Sequence, residues 1–209
     1  MDKIEAARYL GMKPDDLNER TEALIEKCAL KLEGVIAPKH IYAVFDIKTK
    51  NQKVIFPDFE IDSNALSKHL EKCDEAILFA ATLGADVDRL MMSASYTDIS
   101  EAAVMQACAA VMIEEYCDSV METLVDGENN KFLKPRFSPG YGDFSTSYQR
   151  KILDILKAPV KIGLCVTDGD MLVPSKSVTA VIGITDEKSG CNINKCASCG
   201  NLFCVFRKE

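Results

Sequence analysis

Residues 134–145, KPRFSPGYGDFS, combine an arginine and three aromatic rings with two prolines and two glycines. Prolines fix φ and glycines allow close backbone approach, so this segment resists regular structure. The guanidinium of Arg136 can fork onto a carboxylate or phosphate, and the ring of Tyr141 can pack on a flat ring or a cation. The segment is therefore either an ordinary connecting loop rich in turn residues or a ligand-binding loop.

Two adjacent glutamates, Glu114 and Glu115, lie late in a long predicted helix that covers residues 98–125. At helical spacing one of them turns toward the core side while the other meets solvent, so one could face a cation. The alternative is that both are solvated. An arginine for a carboxylate, a glutamate for an ammonium and a tyrosine for a flat ring would together suit an amino acid joined to a nucleoside.

The C-terminal tail, residues 188–209, contains the run CNINKCASCGNLFC with Cys191, Cys196, Cys199 and Cys204. A Cys-x-x-Cys pair supplies two thiolates to one metal, and the outer cysteines can complete a tetrathiolate shell. Zinc is one interpretation, and the first three spacings also match a plant-type iron–sulfur pattern. A reduced, metal-free tail is the alternative. The other five cysteines lie among apolar residues, where we expect small core side chains.

Composition limits the classes of function. The 209 residues are 47% hydrophobic, which predicts one domain over residues 1–209, with N-terminal helices and a β-hairpin in residues 1–74. A net charge of −7 argues against nucleic acid and anionic membranes as partners. The N-terminus has no basic and then apolar leader, and no apolar run approaches the ~20 residues of a membrane span. We therefore expect a cytoplasmic protein with reduced cysteines.

Hydrophobic periodicity predicts the elements that position these residues. The predicted helices cover residues 14–34, 62–72, 85–94, 98–125 and 145–157. The predicted strands are a hairpin around residues 48–52, a central strand at 76–82, and strands at 161–166 and 177–185. Helices and strands follow each other irregularly rather than as repeated βαβ units, which favours an α+β fold. No Gly-x-Gly turn joins an early strand to a helix, which disfavours a Rossmann-type methyltransferase.

The segment RFSPGYGDF resembles the Arg-Pro-x-Pro-Gly-Tyr signature in the activation domain of cobalamin-dependent methionine synthase. Three further segments are similar to that family: ATLGADVDRL, VMQACAAVMIEEY and MLVPSKSVTAVIGI. The resemblance covers residues 75–185 and is clearest at 136–141 and 171–179. Two family features are not matched. Residues 181–183 are Val-Ile-Gly where the family can place a tyrosine, and its early aspartate has no recognisable counterpart.

The resemblance implies a helmet-like α+β domain in which long helices flank a twisted antiparallel sheet. It implies binding of S-adenosylmethionine and docking on the cobalamin domain of methionine synthase or a related corrinoid protein. There, reductive methylation of cob(II)alamin, with an electron from flavodoxin or ferredoxin, restores the active cofactor. The chain would be a stand-alone reactivation subunit in methionine biosynthesis, a component of a methyltransferase activity. Such a reaction depends on positioning rather than on acid–base help, so we expect no catalytic side chain.

By position in the motif, the resemblance assigns the methionyl carboxylate to Arg136 and the ammonium to Glu114. It assigns the nucleoside to the loop around Phe137, Gly140 and Tyr141. Two other hypotheses remain. The cysteine tail could carry a zinc ion or an iron–sulfur cluster in a redox or interaction module that acts on a corrinoid protein. The chain could also offer only an interaction surface, without a small ligand.

Overall fold

A computed structural model describes residues 1–13, 16–127 and 131–186, with only the backbone described at 125–127. The helices are α1 (Lys3–Tyr9), α2 (Glu19–Glu33), α3 (Asn64–His69), α4 (Ala85–Thr97), α5 (Ile99–Gly127), α6 (Tyr148–Leu156) and α7 (Ala158–Lys161). The strands are β1 (Lys39–Asp46), β2 (Lys48–Lys50), β3 (Lys53–Ile55), β4 (Glu60–Asp62), β5 (Glu75–Thr82), β6 (Phe132–Leu133), β7 (Cys165–Val166), β8 (Leu172–Val173) and β9 (Ser177–Thr185).

The main sheet has the strand order β1-β5-β9-β6, and all its pairings are antiparallel. Strand β5 lies inside the sheet and is buried from Ala76 to its end at Thr82, because its apolar run is covered on both faces. This confirms the predicted central strand. Strand β9 has the predicted bounds of 177–185. The mixture of helices with an antiparallel sheet confirms the predicted α+β class.

One face of the sheet is covered by helices, with α5 packed against α1, α2 and α4. Small side chains of α5, including the buried Ala102, Ala107 and Ala109, allow the helices to approach closely. Near the start of α5, the buried carboxylate of Glu101 binds the Nζ atoms of both Lys27 and Lys31 from α2. These contacts join α2 to the start of α5, whose later turns carry the predicted ligand residues.

The opposite face packs on α3, α6 and a small sheet with the order β2-β3-β4. Phe144, from the loop that follows β6, is 1% exposed and belongs to this core. The loop of residues 134–145 is thus fixed at one end by a buried aromatic ring. None of the described helices is long and apolar enough to cross a membrane.

Three predicted elements were wrong in extent or in pairing. The long strand β1 does not fold back on β3; it pairs with β5 from Lys39 opposite Thr82 to Asp46 opposite Glu75. The predicted turn instead closes a shorter hairpin, β2–β3. The predicted strand at 161–166 is reduced to β7, because residues 158–161 form a helical turn with proline in its first turn. Helix α2 begins at Glu19 rather than at the predicted residue 14. The side chain of Asn18 accepts a hydrogen bond from the N–H of Thr21 and so caps the helix at that point.

Candidate functional site

The loop of residues 134–145 begins as an irregular continuation of the edge strand β6. The N–H of Lys134 donates to the carbonyl of Gly183 at 2.8 Å, and Phe137 exchanges two backbone hydrogen bonds with Val181 at 3.0 and 2.9 Å. Pro135 lies between these contacts and fits an edge position because proline has no N–H to donate. Pairing with β9 therefore fixes the backbone on both sides of Arg136.

The side chain of Arg136 reaches two carboxylates on α5. Its two terminal nitrogens lie 2.6 Å from Oδ1 of Asp118 and 2.6 Å from Oε2 of Glu114. The two acids are one helical turn apart and so share a face of α5. The Arg136 side chain is only 15% exposed, whereas those of Glu114 and Asp118 are 46% and 67% exposed. The guanidinium is thus covered, and the carboxylates remain accessible.

The two adjacent glutamates have different partners, but neither turns to the core as the helical spacing predicts, since their side chains are 46% and 45% exposed. Glu114 pairs with Arg136, while Oε1 of Glu115 accepts a hydrogen bond from the backbone N–H of Asp2 at 2.7 Å. The structure therefore brings Glu114 and Arg136 together at the start of the loop. Glu115 instead connects α5 to the N-terminal end of α1.

The ion-pair cluster of Arg136, Glu114 and Asp118 has one positive and two negative charges, a net charge of −1. Burial alone would lower the pKa of Arg136, but Cys117 and the two carboxylates raise it on balance. The arginine stays charged. The cluster can therefore offer hydrogen-bond donors to an anionic group and negative charge to a cationic group.

Aromatic rings lie around the cluster. The ring of Phe137 contacts those of His69 at 4.9 Å and Tyr141 at 5.7 Å between centroids. Tyr9, at the end of α1, has a raised pKa, first because of its burial and then because of the charges of Glu114, Glu5 and Tyr141. Tyr9 and Tyr141 are 40% and 49% exposed, so their surfaces remain available to a ligand.

The far end of the loop is attached to α3. Gly140 and Gly142 have φ values of +100° and +57°, and a Cβ on Gly142 would lie 2.8 Å from the Cβ of Ala65. Next to them, Asp143 accepts hydrogen bonds from the Ser63 hydroxyl at 2.6 Å and from the N–H groups of Asn64 and Ala65 at 2.9 and 3.0 Å. The glycines are needed because this turn is left-handed and packs tightly on α3.

The other segments that resemble the family also meet in the structure. Asp88 on α4 accepts hydrogen bonds from the N–H and hydroxyl of Ser175 at 2.8 and 2.6 Å. Beside it, Nζ of Lys176 donates to the carbonyl of Gln106 on α5 at 3.1 Å, and burial lowers the pKa of this lysine. Helices α4 and α5 are thus each connected by hydrogen bonds to the two residues that precede β9.

The predicted metal ligands Cys191, Cys196, Cys199 and Cys204 lie outside the described residues. Within residues 1–13, 16–127 and 131–186, no group of three or more His, Cys, Asp or Glu side chains is placed to hold a metal ion. All five remaining cysteines were predicted to be small core residues, and this prediction is wrong for one of them. Cys28, Cys73, Cys108 and Cys117 are buried core residues, whereas Cys165 is exposed on the short strand β7.

Sequence reasoning missed two residues of this site. Asp118 follows Glu114 at helical i,i+4 spacing, a signal that could have identified it. Tyr9 gave no signal, because only the packing of α1 on α5 brings it near Glu114. A separate cleft of about 290 Å³ lies between α1 and α2, and none of the predicted ligand residues lines it.

Comparison with known proteins identifies a similar fold. No family model and no curated protein matches this sequence. Among solved structures, the MetH reactivation domain bound to AdoHcy is similar to this chain with a TM-score of 0.61 and 16% sequence identity. The similarity covers 78% of this chain and 65% of that one, so the chain spans less than two thirds of its neighbour's length. The likeness establishes the fold.

Proposed function

We propose that this protein binds S-adenosylmethionine between α5 and the loop of residues 134–145 and presents it to a cobalamin-dependent partner. The observation that supports this most directly is the fold similarity to a reactivation domain solved with AdoHcy. In this proposal the chain is a cytoplasmic reactivation subunit that docks on methionine synthase or a related corrinoid protein. Flavodoxin or ferredoxin would supply the electron.

The charged side chains suit the amino-acid part of the ligand. Arg136 can donate guanidinium N–H groups to the methionyl carboxylate. Asp118 and Glu114 each accept one hydrogen bond from it, and a guanidinium has more N–H donors than these two. Glu114, 46% exposed, faces the ammonium group. A ligand that carries both charges adds a carboxylate and a cation together, which limits the electrostatic cost of placing a third carboxylate near Arg136.

The loop and its rings suit the nucleoside part. Tyr141 offers a half-exposed ring for packing, and the backbone around Phe137 and Gly140 is held in place by β9 and by the Phe144 carbonyl. Such a preorganised loop costs little entropy when it binds a ligand. The ligand's methyl group would then be held for the partner's cobalt, which supplies the nucleophile when reduced.

In the proposed transfer the S–CH₃ bond would break with its electron pair left on sulfur, and the methyl carbon would bond to the partner's cobalt. Starting from cob(II)alamin, one electron from the reductant would balance the reaction by giving the nucleophilic cob(I) state. This chain's contribution is therefore binding and orientation, which is consistent with a site that relies on ion pairs and aromatic rings.

The direct test is a calorimetric titration of the full chain, purified without oxygen, with S-adenosylmethionine and with S-adenosylhomocysteine (AdoHcy). We expect saturable binding at one site. If neither ligand gives heat or a shift in Tm at millimolar concentration, the chain alone is not a binding subunit and the proposal fails.

A second proposed function, a metal-bearing redox or interaction module, depends only on the spacing of the four tail cysteines. Metal analysis and an absorption spectrum of the same preparation test it, since an iron–sulfur cluster is brown and zinc is colourless. We expect about one zinc ion or one cluster per chain if the four thiolates form a site. Protein without bound metal after anaerobic purification would exclude this function.

A further inference from the structure

We infer that Asp118 makes this site selective for the charged methyl donor over its demethylated product. The inference deepens the proposed function and rests on it. S-adenosylmethionine carries a carboxylate, an ammonium and a sulfonium, so its net charge is +1. When the methyl group leaves, the sulfur keeps the bonding electron pair, and the product AdoHcy has no net charge.

The structure provides a matching charge. Arg136 compensates one carboxylate, but each of its terminal nitrogens contacts a different acid, so one negative charge is left over. Because Asp118 is 67% exposed and Arg136 only 15%, that negative charge faces the accessible side of the cluster. The net charges of the cluster and the donor therefore sum to zero, whereas the complex of the cluster with the product retains a net charge of −1.

Neighbouring groups do not cancel this charge. Glu5 is paired with Arg8 at 3.2 Å. Nζ of Lys134 donates to the carbonyl of Glu71 at 2.8 Å rather than to a carboxylate of the cluster. The pKa of Tyr9 is raised, chiefly by its burial, so its hydroxyl stays protonated at neutral pH and adds no charge of its own. Within the cluster, Arg136 pairs with both Glu114 and Asp118, and this ratio of one cation to two anions leaves the net charge of −1.

Asp118, rather than Glu114, is the acid that acts on the ligand through its charge without contacting the ligand's ammonium group. Glu114 is the proposed partner of the ammonium, which donor and product share, so its loss weakens both ligands. Asp118 is one turn farther along α5 and binds the other nitrogen of Arg136. Its charge acts on the sulfonium over a distance, and this interaction exists only in the donor.

The test compares the Kd values of S-adenosylmethionine and AdoHcy for wild type and Asp118→Asn, measured calorimetrically at low salt. We expect the preference for the donor to fall by about five- to tenfold in Asp118→Asn, because a charge in a partly exposed site acts through a high effective dielectric constant. Asp118→Glu should keep the wild-type preference. Raising the salt concentration should bring the two Kd values of wild type closer together, because salt screens the charge of Asp118.

Glu122→Gln is the matched control, since Glu122 is exposed on α5 one turn beyond Asp118 and its change removes the same charge. An unchanged preference in Asp118→Asn, or an equal fall in Glu122→Gln, would overturn the inference while leaving ligand binding intact. A wild-type protein that binds neither ligand would instead overturn the proposed function. Circular dichroism confirms that each variant is folded, and Asp118→Ser provides a second neutral variant.

Discussion

The two ends of the loop of residues 134–145 each use one charged side chain, but in opposite ways. At the first end, Arg136 binds the exposed carboxylates of Glu114 and Asp118, and a net negative charge remains. At the second end, the carboxylate of Asp143 accepts three hydrogen bonds from the neutral N-terminal turn of α3. At the first end the carboxylates remain accessible to a ligand, whereas at the second end the carboxylate of Asp143 is satisfied by hydrogen bonds within the fold.

This difference suggests that the second end attaches the loop to the fold, while the first end binds the ligand. Hydrogen bonds to the α3 backbone, together with the buried ring of Phe144, fix the loop without any ligand. Ion pairs with exposed acids contribute little to folding, because water solvates the exposed carboxylates of Glu114 and Asp118 when the pair is broken. We therefore expect substitutions at the first end to change ligand affinity, and substitutions at the second end to change stability.

Arg136→Ala should produce the largest change in ligand binding. We expect the affinity for S-adenosylmethionine to fall by about 2 to 4 kcal/mol, since the methionyl carboxylate loses a covered cationic partner. The free energy of unfolding should change little. Calorimetry and urea denaturation measure the two quantities. Arg150→Ala, at an exposed arginine of α6, is the matched control and should bind like wild type. Unchanged affinity in Arg136→Ala would remove Arg136 from the site.

Gly142→Ala should mainly destabilise the fold. Its φ of +57° disfavours a side chain, and the new Cβ would lie 2.8 Å from the Cβ of Ala65. Gly163→Ala is the control, because Gly163 has a φ of +71° and a Cβ added there would have no atom within 4 Å. We expect Gly142→Ala to cost about 1 to 3 kcal/mol more than Gly163→Ala in urea denaturation. Equal costs would show that α3 yields to the loop.

Asp143→Ala should give a smaller loss of stability that depends on pH. The hydroxyl of Ser63, and then the N–H groups of Ala65 and Asn64, hold the pKa of Asp143 below its usual value. A carboxylate with a lowered folded-state pKa stabilises the protein above its unfolded pKa and loses that effect as the pH falls through the folded value. The Tm difference from wild type should therefore persist at pH 7 and shrink below about pH 4. A difference that is independent of pH would contradict the anchoring role.

The sequence predicted those parts of the fold that depend on short-range patterns. The apolar runs of β5 and β9 and the small residues of α5 determine their elements locally, because burial on both faces of a strand, or close packing of a helix, requires such side chains. The motif of residues 136–141 also predicted a ligand-binding loop with Arg136, and this role stays a prediction. The fold comparison agrees with the family suggested by that motif.

The tertiary structure decided which distant elements meet. Strand β1 pairs with β5 rather than with the hairpin next to it, and α1 carries Tyr9 to the neighbourhood of Glu114 and Tyr141. Arg136 meets both acids because β9 fixes its backbone while α5 crosses the same face of the sheet. Such contacts join residues far apart in the chain, so no local periodicity encodes them. The sequence by itself determined the buried strands, the long helix and the residue types of the loop, whereas packing around one sheet determined the pairing of β1 and which charges surround the arginine.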